Sequence, residues 1–164
     1  MDVQSKRLRL VNLVFVGTIL LGMGLPLFTM LGVDTILNHT NLSTAMHSVI
    51  TFFFDELTGM GFLFWLFHSM LFLLLAFLIR SRLLDKANTE SGYVIRLSQA
   101  IGSWTLTVGF SLSMNIGILI SDSSTAVLGF IFVPFYGLVF MIIGYNGGWV
   151  VGKLILYAKG RQKS

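Results

Sequence analysis

The chain has 164 residues, of which 55% are hydrophobic and only 11% charged, and its mean hydropathy is +0.85; a soluble domain carries about 25% charged residues, so the composition excludes an ordinary water-soluble protein. It contains no cysteine, which rules out disulfides, thiolate catalysis and cysteine-based metal sites. The net charge of +4 does not point to nucleic acid, because the basic residues flank apolar runs and form no basic face with interleaved aromatics.

Four stretches free of Asp, Glu, Lys and Arg organise the chain: residues 10–33, 57–79, 98–121 and 125–152. Each reaches the length of about 20 residues needed to cross a hydrocarbon core of about 30 Å. In lipid every backbone amide has to be paired within its own segment, which makes these spans helices. The expected fold is all-α, a single-domain polytopic membrane protein with four transmembrane helices in an antiparallel bundle. Threading them puts Lys6, Arg7, Arg9, Arg80, Arg82, Lys86, Arg96, Lys153, Lys159, Arg161 and Lys163 on one side. Excess Lys and Arg in short loops marks the cytoplasmic face, so both termini and the basic tail 153–164 are expected inside. The expected location is a bacterial inner membrane.

The first run has a basic start like a signal peptide, yet it exceeds the 7 to 15 residues of a signal core and is read as an uncleaved span. Pro26, after Gly22 and Gly24, removes a backbone hydrogen bond there, and a kink is expected. The outer loop 34–56 begins polar, with two N-x-S/T sequons at Asn38 and Asn41 that matter only in a eukaryotic source. It then turns apolar and ends in Phe52, Phe53 and Phe54, which fit either a short interfacial helix or an early start of the second span. Asp34, Asp55, Glu56 and Asp122 all fall at outer span ends beside His39 and His47, so this mouth would concentrate cations. Solvation of helix ends accounts for the same carboxylates, and a metal site would need them to converge, which spacing cannot show.

His68 is the one ionisable residue well inside a span, and such residues are functional candidates by default. A neutral imidazole bonded to a neighbouring helix would serve equally as structure. The inner loop 80–96 is expected to form a short helix and a turn.

The third span has the strongest internal pattern. Gln99, Ser103, Thr107, Ser111 and Asn115 recur at spacings of four, forming one slowly winding polar stripe. A second row, Thr105, Gly109, Ser113 and Gly117, lies roughly 140° away around the same helix. Small and hydroxyl residues at this spacing let helices approach closely and bond across the contact, so the third span is expected at the centre of the bundle. The stripe would line a hydrated path or pack dry against a neighbour.

A tight turn around residues 121–124 joins the third span to the fourth. The latter contains Pro134, where another kink is expected, and ends in Gly144, Gly148 and Gly152, a ridge that offers a flat groove to another helix. No phosphate-binding glycine loop, zinc-protease or nucleophile-elbow motif or paired intramembrane carboxylates occur, and His68 with Ser111 lacks any motif that marks a nucleophile.

The leading expectation is a non-enzymatic membrane protein, without cofactor, that acts by helix–helix association as a subunit, assembly factor or immunity-type partner of a larger membrane complex. Its partners would be the bilayer and another membrane protein or a second copy of itself. The alternative is a small transporter or channel for a cation or small solute, with its path between the second and third spans.

Overall fold

In a computed structural model, residues 3–55, 60–84, 90–121 and 126–161 are described. They are helical throughout apart from short turns, with no strand among them. Five α-helices follow in chain order: α1 (Val3–Gly32), α2 (Leu42–Ile50), α3 (Met60–Leu84), α4 (Glu90–Leu119) and α5 (Ala126–Arg161). Wider π-helical turns extend α1 through Val33–Leu37 and α2 through Thr51–Asp55.

Three stretches, Leu8–Leu37, Gly61–Leu84 and Phe132–Gly160, are long and apolar enough to cross a membrane by length and composition. They correspond to α1, α3 and α5. α4 is as long as α1, at 30 residues, but its rows of Ser, Thr, Gln, Asn and Gly dilute its apolar character. Both prolines are buried, and α1 and α5 stay helical through Pro26 and Pro134.

The helices pack as two pairs, α4 with α5 and α1 with α3, and the pairs meet through α3 and α4. One apolar cluster joins Leu25 of α1, Leu71, Phe72, Leu75 and Ile79 of α3, Ala100 of α4 and Met141 of α5. The bundle is otherwise inverted relative to a soluble protein. Leu13, Phe28, Phe67, Phe135, Ile142 and Leu154 lie exposed, while Ser103, Thr107, Ser111, Asn115 and His68 are buried.

The α4–α5 pair is fastened by glycine. A Cβ on Gly144 would overlap the carbonyl of Gly102, one on Gly148 the carbonyl of Ser98, and one on Gly152 would crowd Ile95. The two backbones therefore touch along the whole ridge, the geometry that small residues every four positions permit.

Two loops differ from their sequence readings. Instead of a separate helix and turn over 80–96, α3 runs on to Leu84 and α4 already begins at Glu90, with 85–89 outside the described residues. The reason is local: Arg80 stacks over the Phe15 ring at 5.0 Å and Arg82 over Tyr145 at 5.0 Å, so these basic residues are held along helix flanks and need no loop. At the other end the Phe triplet prolongs α2 rather than opening α3. Asn41 caps α2 by accepting from the Thr44 amide at 2.8 Å, and Phe53 at its end is buried beside Phe64 of α3.

The glycine contact gives a paired test. Gly148→Ala is expected to destabilise the fold by about 1–3 kcal/mol, because its methyl meets backbone that cannot yield. Gly147→Ala, one residue away with open space around it, is expected to be neutral or slightly stabilising. Thermal unfolding in detergent compares the two, and equal effects would show that α4 and α5 are not locked through this ridge.

Candidate functional site

The glycine ridge determines which side of α4 faces inward. With Gly102 against α5, the Gln99, Ser103, Thr107, Ser111 and Asn115 stripe is entirely buried. The second row is turned out: Thr105, Gly109, Ser113 and Gly117 are exposed, and nothing lies within reach of a Cβ at either glycine. Of the two faces read as contact surfaces, one is filled within the chain and the other is open.

His68 joins the inward face from α3, where it is 0% exposed between the rings of Phe64 and Phe72, at centroid distances of 5.7 and 5.2 Å. Its height follows from the antiparallel register. Ile79 shares a cluster with Ala100, and Phe64 shares one with Ile118 and Leu119, which sets His68 level with the turn from Ser111 to Asn115. The contact of Gly22 with Phe72 brings Pro26 of α1 to this level, and that of Leu71 with Gly137 brings Pro134 of α5. One layer of the bundle thus holds the buried imidazole, the end of the polar stripe and both helix-interior prolines.

What distinguishes this layer and the stripe below it is hydrogen bonding. A hydroxyl in a helix usually bonds the carbonyl three or four residues back. Thr18 does so to Val14 at 2.8 Å, Thr29 to Leu25 at 2.8 Å, Thr35 to Leu31 at 2.7 Å, Ser69 to Trp65 at 2.8 Å and Ser81 to Leu78 at 2.8 Å. Ser103, Thr107 and Ser111 do not: their buried hydroxyls have no hydrogen-bond partner among the described residues. The same holds for both ends of the Asn115 amide and both ring nitrogens of His68, whereas the exposed Asn146 amide donates to Ile142 at 2.9 Å. A buried polar group without a partner costs on the order of 1–3 kcal/mol. Five such side chains, four on α4 and one on α3, form a buried polar seam with hydrogen-bonding capacity to spare, its Ser103 end lying against Gly144 of α5.

From Ser103 to Asn115 the seam rises about 18 Å, more than half the thickness of a hydrocarbon core. Surface grooves of about 430 and 460 Å³ flank α4, but their walls are largely apolar and none of the five unpartnered side chains lines them. The seam is internal.

Of the outer carboxylates, Asp34 is the one whose side chain is described. Asp34 sits in the turn closing α1, where its carboxylate accepts from Asn38 at 3.1 Å. Asp55 ends the turn after α2, and Glu56 and Asp122 lie outside the described residues. Among the described residues no group of three His, Asp or Glu is placed to hold a metal ion.

Sequence reading joined His68 to the stripe as a possible path past Asn115 and Ser111, but did not place the two prolines at the same level. Proline and histidine carry no periodic signal, and helix register depends on contacts such as Leu71 with Gly137. If the seam is as underbonded as its geometry indicates, Thr107→Val and His68→Leu will melt no lower than the parent protein in detergent. A drop of several degrees would mean that these polar atoms are held by protein partners.

No protein-family model, no curated protein and no solved structure matches the chain.

Proposed function

We propose that the chain is a non-enzymatic membrane protein of four spans, and that a small polar solute or a cation passes along the seam between α3 and α4. The observation carrying this reading is the set of five buried, unpartnered polar side chains, His68, Ser103, Thr107, Ser111 and Asn115. Interior packing alone favours hydroxyls that return to their own backbone, as those of Thr18, Thr29, Thr35, Ser69 and Ser81 do.

Counting α4 as a span rests on the direction of its side chains. Ile101, Trp104, Leu106, Leu112 and Ile120 point outward, and the strongly polar groups point in. An average over the helix mixes a lipid-compatible exterior with a polar interior. Arg80, Arg82 and Lys153, the last over Trp149 at 5.6 Å, gather with aromatic rings at one end of the bundle, the pairing favoured at a membrane interface. We take that end as cytoplasmic, with both termini, and a bacterial inner membrane as the setting for so small a four-span protein.

The chain has no native cysteine, so single-cysteine variants report access directly. Cys substituted for Ser111 is expected to react with a small hydrophilic thiol reagent in vesicles. Cys substituted for Ser113, two residues on but facing outward, is expected to be inert. Equal inertness at both positions, with no solute or ion flux into proteoliposomes, would overturn the reading.

Association with another membrane protein or a second copy is kept as a second reading by one feature, the open row Thr105, Gly109, Ser113 and Gly117 on the exterior of α4. The Gly144, Gly148 and Gly152 ridge no longer supports it, since α4 of the same chain fills that groove. Gly109→Leu combined with Gly117→Leu is expected to abolish cross-linked oligomers in membranes if this row is a docking face. Unchanged cross-linking would remove it.

A further inference from the structure

The seam's chemistry narrows what it can carry. No Asp, Glu, Lys or Arg lies between residues 10 and 33, 60 and 79, 97 and 119, or 126 and 152. The bundle interior therefore offers a permanent ion no counter-charge, and an uncompensated charge at mid-membrane is costly. What it offers is a row of hydroxyls, one amide and one imidazole.

The spacing of the row is informative. Successive stripe residues stand four apart, about 6 Å along the helix axis. Two hydroxyl oxygens bridged by one water lie about 4.5 Å apart at the water's near-tetrahedral angle, and about 5.6 Å apart when the three oxygens stand in line. Ser103, Thr107 and Ser111 are thus spaced so that one or two waters between neighbours complete a single file, and a hydroxyl that does not bond its own backbone can take part.

His68 stands level with the outer end of this row, and it is the one titratable side chain in the four uncharged runs apart from tyrosines. The rings of Phe64 and Phe72 flank it on α3, and helix register sets buried Leu25 and Pro26 of α1, Asn115 of α4, and Val133 and Pro134 of α5 at its level, none of them charged. Among the described residues neither ring nitrogen has a protein partner, as a relay requires: one must accept while the other releases. Pro26 and Pro134 add to this layer by removing the amides that would otherwise cover the carbonyls of Gly22 and Phe130.

We infer that the seam is a proton path, with water threaded along Ser103, Thr107 and Ser111 and His68 as the relay at its outer end. This rests on the polar-path reading above and names its substrate. In each passage a proton from an outer water forms an N–H bond at one ring nitrogen of His68. The N–H bond at the other nitrogen then breaks and its proton moves to the water chain, where each hydroxyl accepts one proton and releases another. The ring returns to its starting tautomer by rotation or by reverse exchange, and no electron transfer or co-reactant is needed.

The test uses the purified full-length protein in vesicles of phosphatidylcholine and phosphatidylglycerol. They contain a pH-sensitive dye, and a potassium gradient with valinomycin supplies the driving potential. The expected result is proton entry above that of protein-free vesicles, reduced about tenfold or more by His68→Gln and by Thr107→Val. Thr107→Val preserves side-chain volume, and the outward-facing Ser113→Ala should retain the parent rate. Size-exclusion profile and helical circular dichroism establish that each variant is folded. Sodium uptake and osmotic swelling in urea or glycerol, measured on the same vesicles, are expected to match protein-free controls. Proton flux that is unchanged in both folded variants overturns the path. Cation or solute flux without proton flux, lost in His68→Gln, overturns the proton assignment and leaves the polar-path reading standing. No flux of any kind overturns both.

Discussion

The close approach of α4 to α5 is the constraint on which the rest of the bundle depends. Gly102 against Gly144, and Gly148 against Ser98, allow backbone to meet backbone, and a helix held at that distance cannot turn about its own axis. With rotation fixed, the stripe ending in Asn115 points into the bundle and the row ending in Gly117 points away. Had the ridge engaged the other row, the same residues would have presented Gln99, Ser103 and Thr107 to lipid. Van der Waals contact between small residues is a main source of helix association where lipid tails are as apolar as leucine, so the least reactive residues of the chain orient the most polar ones.

Burying those polar residues works against stability unless something answers their hydrogen bonds. The apolar cluster around Leu71, Phe72 and Leu75 and the rings flanking His68 supply favourable packing. They also surround the imidazole with groups that cannot bond it. Native proteins leave few buried polar atoms unpaired, and here five side chains with such atoms, His68, Ser103, Thr107, Ser111 and Asn115, lie on the inward faces of α3 and α4. Thr18 and Thr29, equally sheltered on α1, satisfy themselves locally. The contrast lies between two helices of the same interior, so it reflects side-chain direction rather than depth.

Much of the architecture was legible from residue order. Runs without charge located the long helices, because length and apolarity are linear properties. The spacing of four located both rows on α4, because helical periodicity is local. Which row would be buried was not legible: both rows consist of small or hydroxyl residues, and the choice is made by contact with Gly144 and Gly148 on another helix. The loops were less readable for related reasons. The inner connection at 80–96 looked polar enough to be separate, yet stacking of Arg80 on Phe15 and Arg82 on Tyr145 lets α3 continue through its start. The Phe triplet fitted two roles until the burial of Phe53 beside Phe64 attached it to α2. Convergence of Asp34 with the other outer acids depends on loop folding that spacing does not encode.

The prolines bear on why this layer lies where it does. A proline inside a spanning helix exposes a carbonyl that lipid cannot satisfy, so it is tolerated where a neighbouring helix or a polar interior can answer. In α1 the indole of Trp65 donates to the Met23 carbonyl at 2.8 Å, in the turn just before Pro26. α3 therefore bonds the backbone of α1 three residues from His68, at the carbonyl next to that of Gly22, which Pro26 leaves uncovered. Pro134 stands at the corresponding height on α5, next to the fully buried Val133. Two helices with loosened backbone bonding, at the level of a histidine and an asparagine without partners among the described residues, add to the hydrogen-bonding capacity of that layer. The hydroxyls of Ser103, Thr107 and Ser111 extend that capacity along α4 towards the basic end.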